Sequence, residues 1–350
     1  MNVRPQNAIR GRIRKLGITG YGRLAREYYL PALARMRDVR VVAVADPLEE
    51  SRLAAVKWSP LARVYLSHEQ MMSQEILDAV LIASPPSSHL AAWLEARKAG
   101  VAAFVEKPFA LTSQMKDLPQ VSDAEGRVMI NFNRRFWPPY QQVIEAARYG
   151  AIGALRNIQF TFHTDVARWS QVTQHRLSPG EGGVLHDLGS QAIDLICQIA
   201  NGEPRQISAS FASKRWESDC VHLEMEFPGG VFARCDLAYD PQNRESLSVT
   251  GSTASILLRE PNMTPHVTNN CRVSAAARLE DYAWMGYRFL FPTQRMLHYT
   301  ITEALNVFVE SIGADRHFKP GYAEACANLR LLALASGVTN STMTSGGANG

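Results

Sequence analysis

The strongest constraint on the fold lies near the start of the chain, where a short apolar strand runs into two glycines and then into a helix, over residues Lys15–Ala25. Gly20 and Gly22, with Ala25 in the third small-residue position, form the pattern G-x-G-x-x-A. In such a pattern one glycine makes a tight turn, the next lets a pyrophosphate approach the backbone, and the third small residue allows close helix packing. The helix that begins near Arg23 adds unpaired N–H groups that favour an anion. We therefore predict a strand, turn and helix that can hold a dinucleotide phosphate.

An acidic residue further along supports this interpretation. The apolar run Val41–Ala45 ends in Asp46, about 20 residues past the turn, where a dinucleotide fold places its ribose-binding carboxylate. The alternative interpretation is that Asp46 merely ends a strand. The combination of Asp46 with the glycine turn disfavours this interpretation. A carboxylate accepts the ribose hydroxyls of NAD and repels the 2′-phosphate of NADP, and Pro47 and Leu48 supply no cation to offset this. We therefore expect NAD rather than NADP.

Composition excludes several classes of protein. At 350 residues the chain is long for one core, so two domains are expected. The formal net charge of +4 is spread along the chain, which disfavours a nucleic-acid groove. No apolar run reaches membrane-spanning length, and the polar, basic N-terminus is no secretory signal. Five widely spaced cysteines without a C-x-x-C pair favour reduced thiols, and we expect a soluble cytoplasmic protein without a bound metal.

The alternation of strand and helix patterns predicts the fold of the first domain, residues 14–135, after a flexible lead over 1–13. Strands are expected at Leu16–Thr19, Val39–Ala45, Val80–Ala83, Ala102–Val105 and Val128–Asn131, with helices from Arg23 and near Leu48–Lys57, His89–Ala99 and Ser113–Glu125. This α/β rhythm is typical of a doubly wound parallel sheet of the Rossmann type, whose ligands lie beyond the carboxyl ends of the strands. The loop Ser84–His89 and the residues Glu106 and Lys107 follow such ends.

The rhythm changes over residues 136–340, which we assign to a second, α+β domain before a disordered tail at 341–350. Strand patterns follow one another at Leu155–His163, Arg205–Ser213, Cys220–Phe227, Val231–Leu237, Ser246–Gly251 and Ser255–Leu258, and helices are expected at Thr300–Ile312 and Tyr322–Gly337. Short turns between neighbouring strands predict a large, mostly antiparallel open sheet.

One helix of the second domain carries a polar stripe. It opens at Gly182 and Gly183 and presents Asp187, Gln191, Asp194 and Gln198 at helical spacing. Periodicity alone favours the wet side of an ordinary amphipathic helix. The glycines weaken that interpretation, because each costs about 1 kcal/mol in a helix unless something approaches the backbone.

Taken together, the glycine turn, Asp46, the loop Ser84–His89, Glu106-Lys107-Pro108 and the stripe after Gly182 resemble the Gfo/Idh/MocA family of nicotinamide-dependent oxidoreductases, over nearly the whole chain. The resemblance implies a domain that binds NAD or NADP and a second domain that closes over the substrate, a sugar, an inositol or a related polyol. It also implies a homodimer or homotetramer. The residues expected at the cofactor are Gly20, Tyr21, Gly22, Arg23, Leu24, Asp46, Ser84, Pro85, His89, Glu106 and Lys107.

The same resemblance implies roles in catalysis. Lys107 matches the catalytic lysine of the E-K-P motif, before a peptide bond that is often cis, and Asp187 matches the acid of the second domain. The family commonly has a histidine four residues after this acid, and here Gln191 stands there, with no proton to exchange near neutrality. The proton role then moves to Lys107, to Asp187 or to another histidine. We consider Gln191, His186 and His163 as substrate-binding candidates, Gln191 because its amide can orient a hydroxyl by hydrogen bonding, with His175 as an outsider.

Gln191 keeps other functions open. The chain could reduce a keto sugar in a biosynthetic pathway, or use NAD transiently for glycoside cleavage or elimination. A non-catalytic NAD-binding sensor is a candidate from a different class, although Lys107 and Asp187 argue against it.

Overall fold

A computed structural model describes residues 13–168, 174–177, 182–260, 263, 265–268, 294–314 and 317–337. The predicted tail and all of the predicted lead except Ile13 lie outside these residues. The described residues form two units. The first contains 13–142, 168, 174–175, 294–314 and 317–326, and the second contains 143–167, 176–177, 182–260, 263, 265–268 and 327–337.

Six short strands build the sheet of the first unit, and all neighbouring strands are parallel. They are β1 (Arg14–Thr19), β2 (Val39–Ala45), β3 (Arg63–Tyr65), β4 (Ala79–Ile82), β5 (Ala102–Val105) and β6 (Val128–Ile130), in the order β3-β2-β1-β4-β5-β6. Ile18 pairs with Val44 on one side and with Leu81 on the other. The predicted doubly wound parallel sheet is therefore confirmed.

Helices connect these strands. A π-helical turn, Ala25–Tyr29, continues into α1 (Leu30–Leu33), and the following helices are α2 (Glu49–Trp58), α3 (His68–Gln74), α4 (Pro86–Lys98) and α5 (Asp123–Gly126). The sequence missed β3 and α3, and a three-residue strand such as β3 is too short to show alternation. In place of the expected helix Ser113–Glu125, the structure has a 3₁₀ segment, Thr112–Asp117, and the separate α5. Pro119, which lacks an N–H, lies between them.

The second unit is built on a seven-stranded sheet. Its helices are the C-terminal parts of α6 (Pro138–Arg148) and α7 (Gln174–Leu177), then α8 (Ser190–Ala200), the last preceded by a second π-helical turn, Leu185–Gly189. The strands are β7 (Leu155–Thr164), β8 (Gln206–Ala212), β9 (Cys220–Glu226), β10 (Phe232–Tyr239), β11 (Arg244–Gly251), β12 (Ser255–Arg259) and β13 (His266–Thr268). Their order is β13-β12-β11-β7-β10-β9-β8, and only the β7–β10 pair is parallel. The expected mostly antiparallel sheet is confirmed.

The last two helices are α9 (Gln294–Ala314) and α10 (Tyr322–Ala335). Sequence analysis assigned both to the second domain, but α9 packs in the first unit. Its apolar side, with Ile301, Leu305 and Phe308, joins the core formed by Ile18 and Phe104 of the parallel sheet. The apolar pattern of α9 fits the face of either sheet, so its packing partner could not be predicted from periodicity.

The described residues contain no helix that is both long enough and apolar enough to cross a membrane. Cys197, Cys220, Cys235 and Cys326 are free thiols, and Cys271 lies outside the described residues.

Candidate functional site

The glycine turn follows β1 at the point where the strand order of the parallel sheet reverses, between β1 and β4. Gly20 has φ +86°, and a Cβ there would lie 2.5 Å from the backbone of Ser84. Only glycine fits this position, because the loop after β4 packs directly against it. A Cβ on Gly22 would meet nothing within 4 Å. The turn therefore offers open space beside Gly22, next to the start of a helix at Arg23.

Asp46 lies against this turn at the end of β2. One oxygen of its buried carboxylate accepts a hydrogen bond from the backbone N–H of Tyr21 (2.7 Å), and the other accepts one from Leu48 (2.9 Å). Arg52 donates to the carbonyl oxygens of Asp46 and Pro47, each at 2.8 Å. The carboxylate thus joins the ends of two neighbouring strands at the carboxyl edge of the sheet.

His89 ties together two loops at the same edge. Its buried ring lies between the carbonyl oxygen of Ser84 (2.7 Å from Nε2) and that of Pro108 (2.8 Å from Nδ1). Burial lowers the pKa of His89, although both carbonyls oppose this effect. The expected cofactor residue is therefore enclosed in protein and connects the loop after β4 with the loop after β5.

The residues after β5 point in different directions, as alternation along a strand predicts. Glu106 is buried and accepts hydrogen bonds from the hydroxyl of Tyr29 and the amide of Asn131 (2.7 Å). Burial, and then the charge of Glu106, raises the pKa of Tyr29 well above its usual range, so the phenol stays a donor. Lys107 is half-buried, its backbone N–H donates to Glu106 Oε2 (3.1 Å), and its peptide bond to Pro108 is cis. Glu106 thus belongs to an internal network beneath Lys107.

In the second unit, Asp187 is the centre of a buried polar cluster. It lies in the π-helical turn before α8, and its Oδ2 accepts hydrogen bonds from Arg176 and from the hydroxyl of Tyr239 (2.9 Å). Burial, and then the carboxylate charge, raises the pKa of Tyr239 well above its usual range. Such π-helical turns are rare and are frequent at functional sites. The guanidinium balances the charge of the buried carboxylate, which an apolar interior would otherwise disfavour.

Most of the predicted polar stripe is buried, and Gln198 at its end is only half-buried. Asp187, Gln191 and Asp194 are 8%, 3% and 4% exposed, so this face of the helix is not its wet side. His186 Nδ1 donates to the carbonyl oxygen of Gly182 (2.7 Å), and burial lowers the pKa of His186 and favours a neutral ring. Buried polar side chains gathered on one helix favour a functional site over a solvated surface.

His163 has different surroundings. It pairs in register with Ala238, so it lies on the opposite face of the sheet from Tyr239. There its Nε2 lies 3.1 Å from one oxygen of Asp236, and His222 lies 3.1 Å from the other. This position does not support the predicted contact of His163 with a substrate. The side chain of His175 lies outside the described residues.

Sequence reasoning missed Arg176, Tyr239, Tyr29 and Asn131. Tyr239 lies 52 positions after Asp187 and Asn131 lies 102 positions after Tyr29, so no local spacing connects them. Across the residues that the structure describes, no group of three or more His, Cys, Asp or Glu side chains could hold a metal ion.

The first unit has a glycine turn at the strand-order reversal and an acid at the end of the next strand, which are features of a dinucleotide-binding domain. Together with the buried carboxylate of the second unit, they are typical of a dinucleotide-dependent oxidoreductase. Residues 14–132 match the profile of the oxidoreductase family with an NAD-binding Rossmann fold, and residues 140–257 match the GFO/IDH/MocA C-terminal domain. The chain belongs to the Gfo/Idh/MocA oxidoreductase family, and its first unit is an NAD-binding domain.

Individual relatives agree with this assignment. The chain is 29% identical over 273 residues to an uncharacterised oxidoreductase, ORF334, of Rhizobium meliloti, a match that covers 74% of this chain and 78% of that protein. It is 27% identical over 202 residues to inositol 2-dehydrogenase of Rhizobium meliloti strain 1021, covering 57% of this chain and 58% of that protein. The crystal structure of the WlbA dehydrogenase from Bordetella pertussis, in complex with NADH and UDP-GlcNAcA, matches with a TM-score of 0.79 at 18% identity, covering 95% of this chain and 96% of that one. This last similarity shows a shared fold.

The first unit fits NAD. The open space at Gly22 is a cradle that a Cβ would fill, and the adjoining helix start at Arg23 favours the charge of a pyrophosphate. Asp46, whose carboxylate borders the turn, has acceptor capacity for ribose hydroxyls.

Replacing Gly22 by Ala tests this cradle. The added methyl group meets no protein atom, so we expect the free energy of unfolding to stay within about 0.5 kcal/mol of the wild-type value. It fills the space for the pyrophosphate, so we expect the Kd for NAD to rise more than about tenfold, a loss of about 1.4 kcal/mol. Isothermal titration measures the affinity. Gly202→Ala, at another glycine with nothing within 4 Å, is the matched control. Unchanged NAD affinity in the Gly22 variant would contradict the assignment.

Proposed function

We propose that this protein transfers a hydride between NAD and a carbinol or ketone carbon of a sugar, an inositol or a related polyol. The observation that carries the proposal is the buried cluster of Arg176, Asp187 and Tyr239, in a chain whose other unit binds NAD. Burying a charged carboxylate costs desolvation free energy, which its two donors offset only in part. A carboxylate kept in such a position is suited to orienting a substrate hydroxyl. The similarity to an inositol dehydrogenase favours a polyol substrate.

Two residues take the main roles in this proposal. NAD, when bound, would supply the hydride acceptor for the carbinol carbon. Lys107, in its neutral form, accepts the hydroxyl proton at Nζ, so that the carbinol becomes a carbonyl, and in the reverse direction it returns that proton. Asp187 accepts a hydrogen bond from the substrate hydroxyl and orients it, since a carboxylate has about four lone-pair sites. Gln191 supports the substrate without exchanging a proton.

The internal contacts of the first unit suit Lys107 to this role. Glu106 and His89 fix the backbone on either side of Lys107, through hydrogen bonds to its N–H and to the carbonyl of Pro108. A fixed backbone limits the positions that Nζ can reach, which lowers the entropy lost when the reacting groups meet.

The direct test of the proposal is turnover. The purified protein is incubated with NAD and a panel of inositols, aldoses and glycosides, and NADH is followed by its absorbance. We expect net NADH with at least one class of polyol. Tight NAD binding with no net NADH across the panel would contradict the proposal. It would favour a keto-sugar reductase, transient-redox cleavage or a sensor. Consumption of NADH with a keto sugar identifies the reductase, release of an aglycone identifies the cleavage, and neither is expected of a sensor. Gel filtration tests the proposed homodimer or homotetramer on the same sample.

Replacing Lys107 by Met tests its role in proton transfer. We expect kcat to fall about 10²- to 10⁴-fold, because a positioned acid or base contributes this much, while the Kd for NAD stays unchanged. Lys98→Met, at an exposed lysine of the same unit, is the matched control and should keep wild-type turnover. Near-normal turnover of the Lys107 variant would refute the assignment.

Replacing Tyr239 by Phe tests the support of Asp187. The change removes a hydroxyl that donates to a charged group, an interaction of about 1.5–3 kcal/mol, so we expect kcat to fall roughly tenfold or more with NAD affinity unchanged. Tyr322→Phe removes a 2.7 Å hydrogen bond to the carbonyl of Pro119, far from Asp187 in the sequence and in the other unit, and serves as the control. Equal kcat values for both variants and the wild type would count against a role for Tyr239.

A further inference from the structure

The loop between β8 and β9, residues 213–219, has a fixed conformation beside the Asp187 cluster. The buried carboxylate of Asp219 accepts hydrogen bonds from the backbone N–H groups of Lys214 (2.7 Å), Arg215 (2.7 Å) and Trp216 (3.0 Å). Burial would raise the pKa of Asp219, but these three amides hold it below its usual range, so the carboxylate stays charged and keeps all three bonds. The carbonyl oxygen of Asp219 also accepts a hydrogen bond from the N–H of Tyr239 (2.9 Å). The loop is therefore attached to the strand end that holds Asp187.

Trp216 extends this attachment through its side chain. Its half-buried indole meets the ring of Tyr239 edge to face, with centroids 6.4 Å apart and planes at 79°. Tyr239 in turn donates to Asp187. A half-buried aromatic ring one contact away from a substrate-orienting residue is a typical wall of a sugar site, because it offers a rigid apolar face with little entropy to lose.

Arg215 places a positive charge on the outer side of this ring. Its exposed guanidinium lies 5.0 Å from the centroid of Trp216, at the distance of a cation–π contact. Within the part of the chain that the structure describes, no carboxylate forms an ion pair with Arg215. By contrast, Arg176 is balanced by Asp187, and Lys214 by Asp240 at 3.8 Å. Arg215 is therefore an exposed guanidinium without an ion-pair partner among the described residues, two aromatic rings away from Asp187.

We infer that the substrate is an acidic sugar or polyol, with a carboxylate or phosphate that binds Arg215 while its ring lies against Trp216 and its reacting carbinol meets Asp187. This inference rests on the proposed function, because it takes Asp187 as the residue that orients the reacting hydroxyl. A guanidinium binds both anions through paired, charge-assisted hydrogen bonds. A neutral inositol leaves this cation without a partner. The anion lies on the part of the substrate remote from the reacting carbon, because two rings separate Arg215 from Asp187.

The test compares D-glucose, D-glucuronate and D-glucose 6-phosphate, which share a ring and differ in charge. Binding to the protein with NADH is measured by isothermal titration, and kcat/KM is measured with NAD. We expect one of the two anions to bind at least tenfold more tightly than glucose, and the preference between them identifies carboxylate or phosphate. Arg215→Met should remove this preference by raising the Kd and KM for the anion about tenfold, with kcat changed less than about twofold.

The control is Arg234→Met. The guanidinium carbon of Arg234 lies 4.9 Å from the centroid of the Phe232 ring, and Arg234 pairs with Glu224. Arg234 is therefore also an exposed arginine over an aromatic ring, but it lies on the opposite face of the sheet from Tyr239. This variant should keep the wild-type preference. Equal affinity of the wild-type protein for glucose and both anions would overturn the inference, as would an anion preference that survives in Arg215→Met.

The binding measurement separates the inference from the proposed function. Anion binding that depends on Arg215 supports the inference even where no NADH forms. Turnover of neutral polyols without preference for either anion supports the proposed function and overturns the inference.

Discussion

A buried carboxylate controls the organisation of the second unit. Asp187 has little contact with water, so its charge needs donors from the protein. Arg176 comes from the chain before the π-helical turn, and Tyr239 from the far end of β10. A carboxylate that draws on elements so distant in sequence fixes the start of α8 against the sheet. The same Tyr239 contacts Trp216, so one side chain connects Asp187 with Trp216 and Arg215, the residues proposed to bind the acidic substrate.

The first unit also contains a buried carboxylate, and there the donors are neutral. Glu106 is buried beneath Lys107, and its contacts are the phenol of Tyr29 and the amide of Asn131. Tyr29 ends a π-helical turn just after the glycine loop, as Asp187 lies in the π-helical turn before α8. In both units a widened helical turn brings one polar side chain into a buried network: Tyr29 beside the proposed catalytic residue Lys107 in the first unit, and Asp187, itself the proposed substrate-orienting residue, in the second. The extra backbone residue in such a turn re-aims the side chains that follow it, which a regular helix cannot do.

Much of the fold could be predicted because the responsible signals are local. Val39–Ala45 is apolar except for Arg40, Ala102–Val105 is apolar throughout, and the structure has strands with those bounds. The glycine turn and Asp46 were found from spacing alone. The site was harder, since periodicity identified the stripe of Asp187 and Gln191 but indicated a wet face. Their burial depends on the sheet that covers them, and Arg176 and Tyr239 reach Asp187 only through tertiary packing.

The central claim is that Asp187 is a working carboxylate and that Tyr239 acts through it. A double-mutant cycle on kcat tests this most directly, with Asp187→Ala, Tyr239→Phe and the combined variant assayed on the substrate that the panel identifies. If Tyr239 acts only through Asp187, the Tyr239 substitution changes kcat by less than about twofold once Asp187 is absent, although it lowers kcat in the wild-type background. Two losses that multiply, or an Asp187 variant that retains wild-type kcat, would contradict the account.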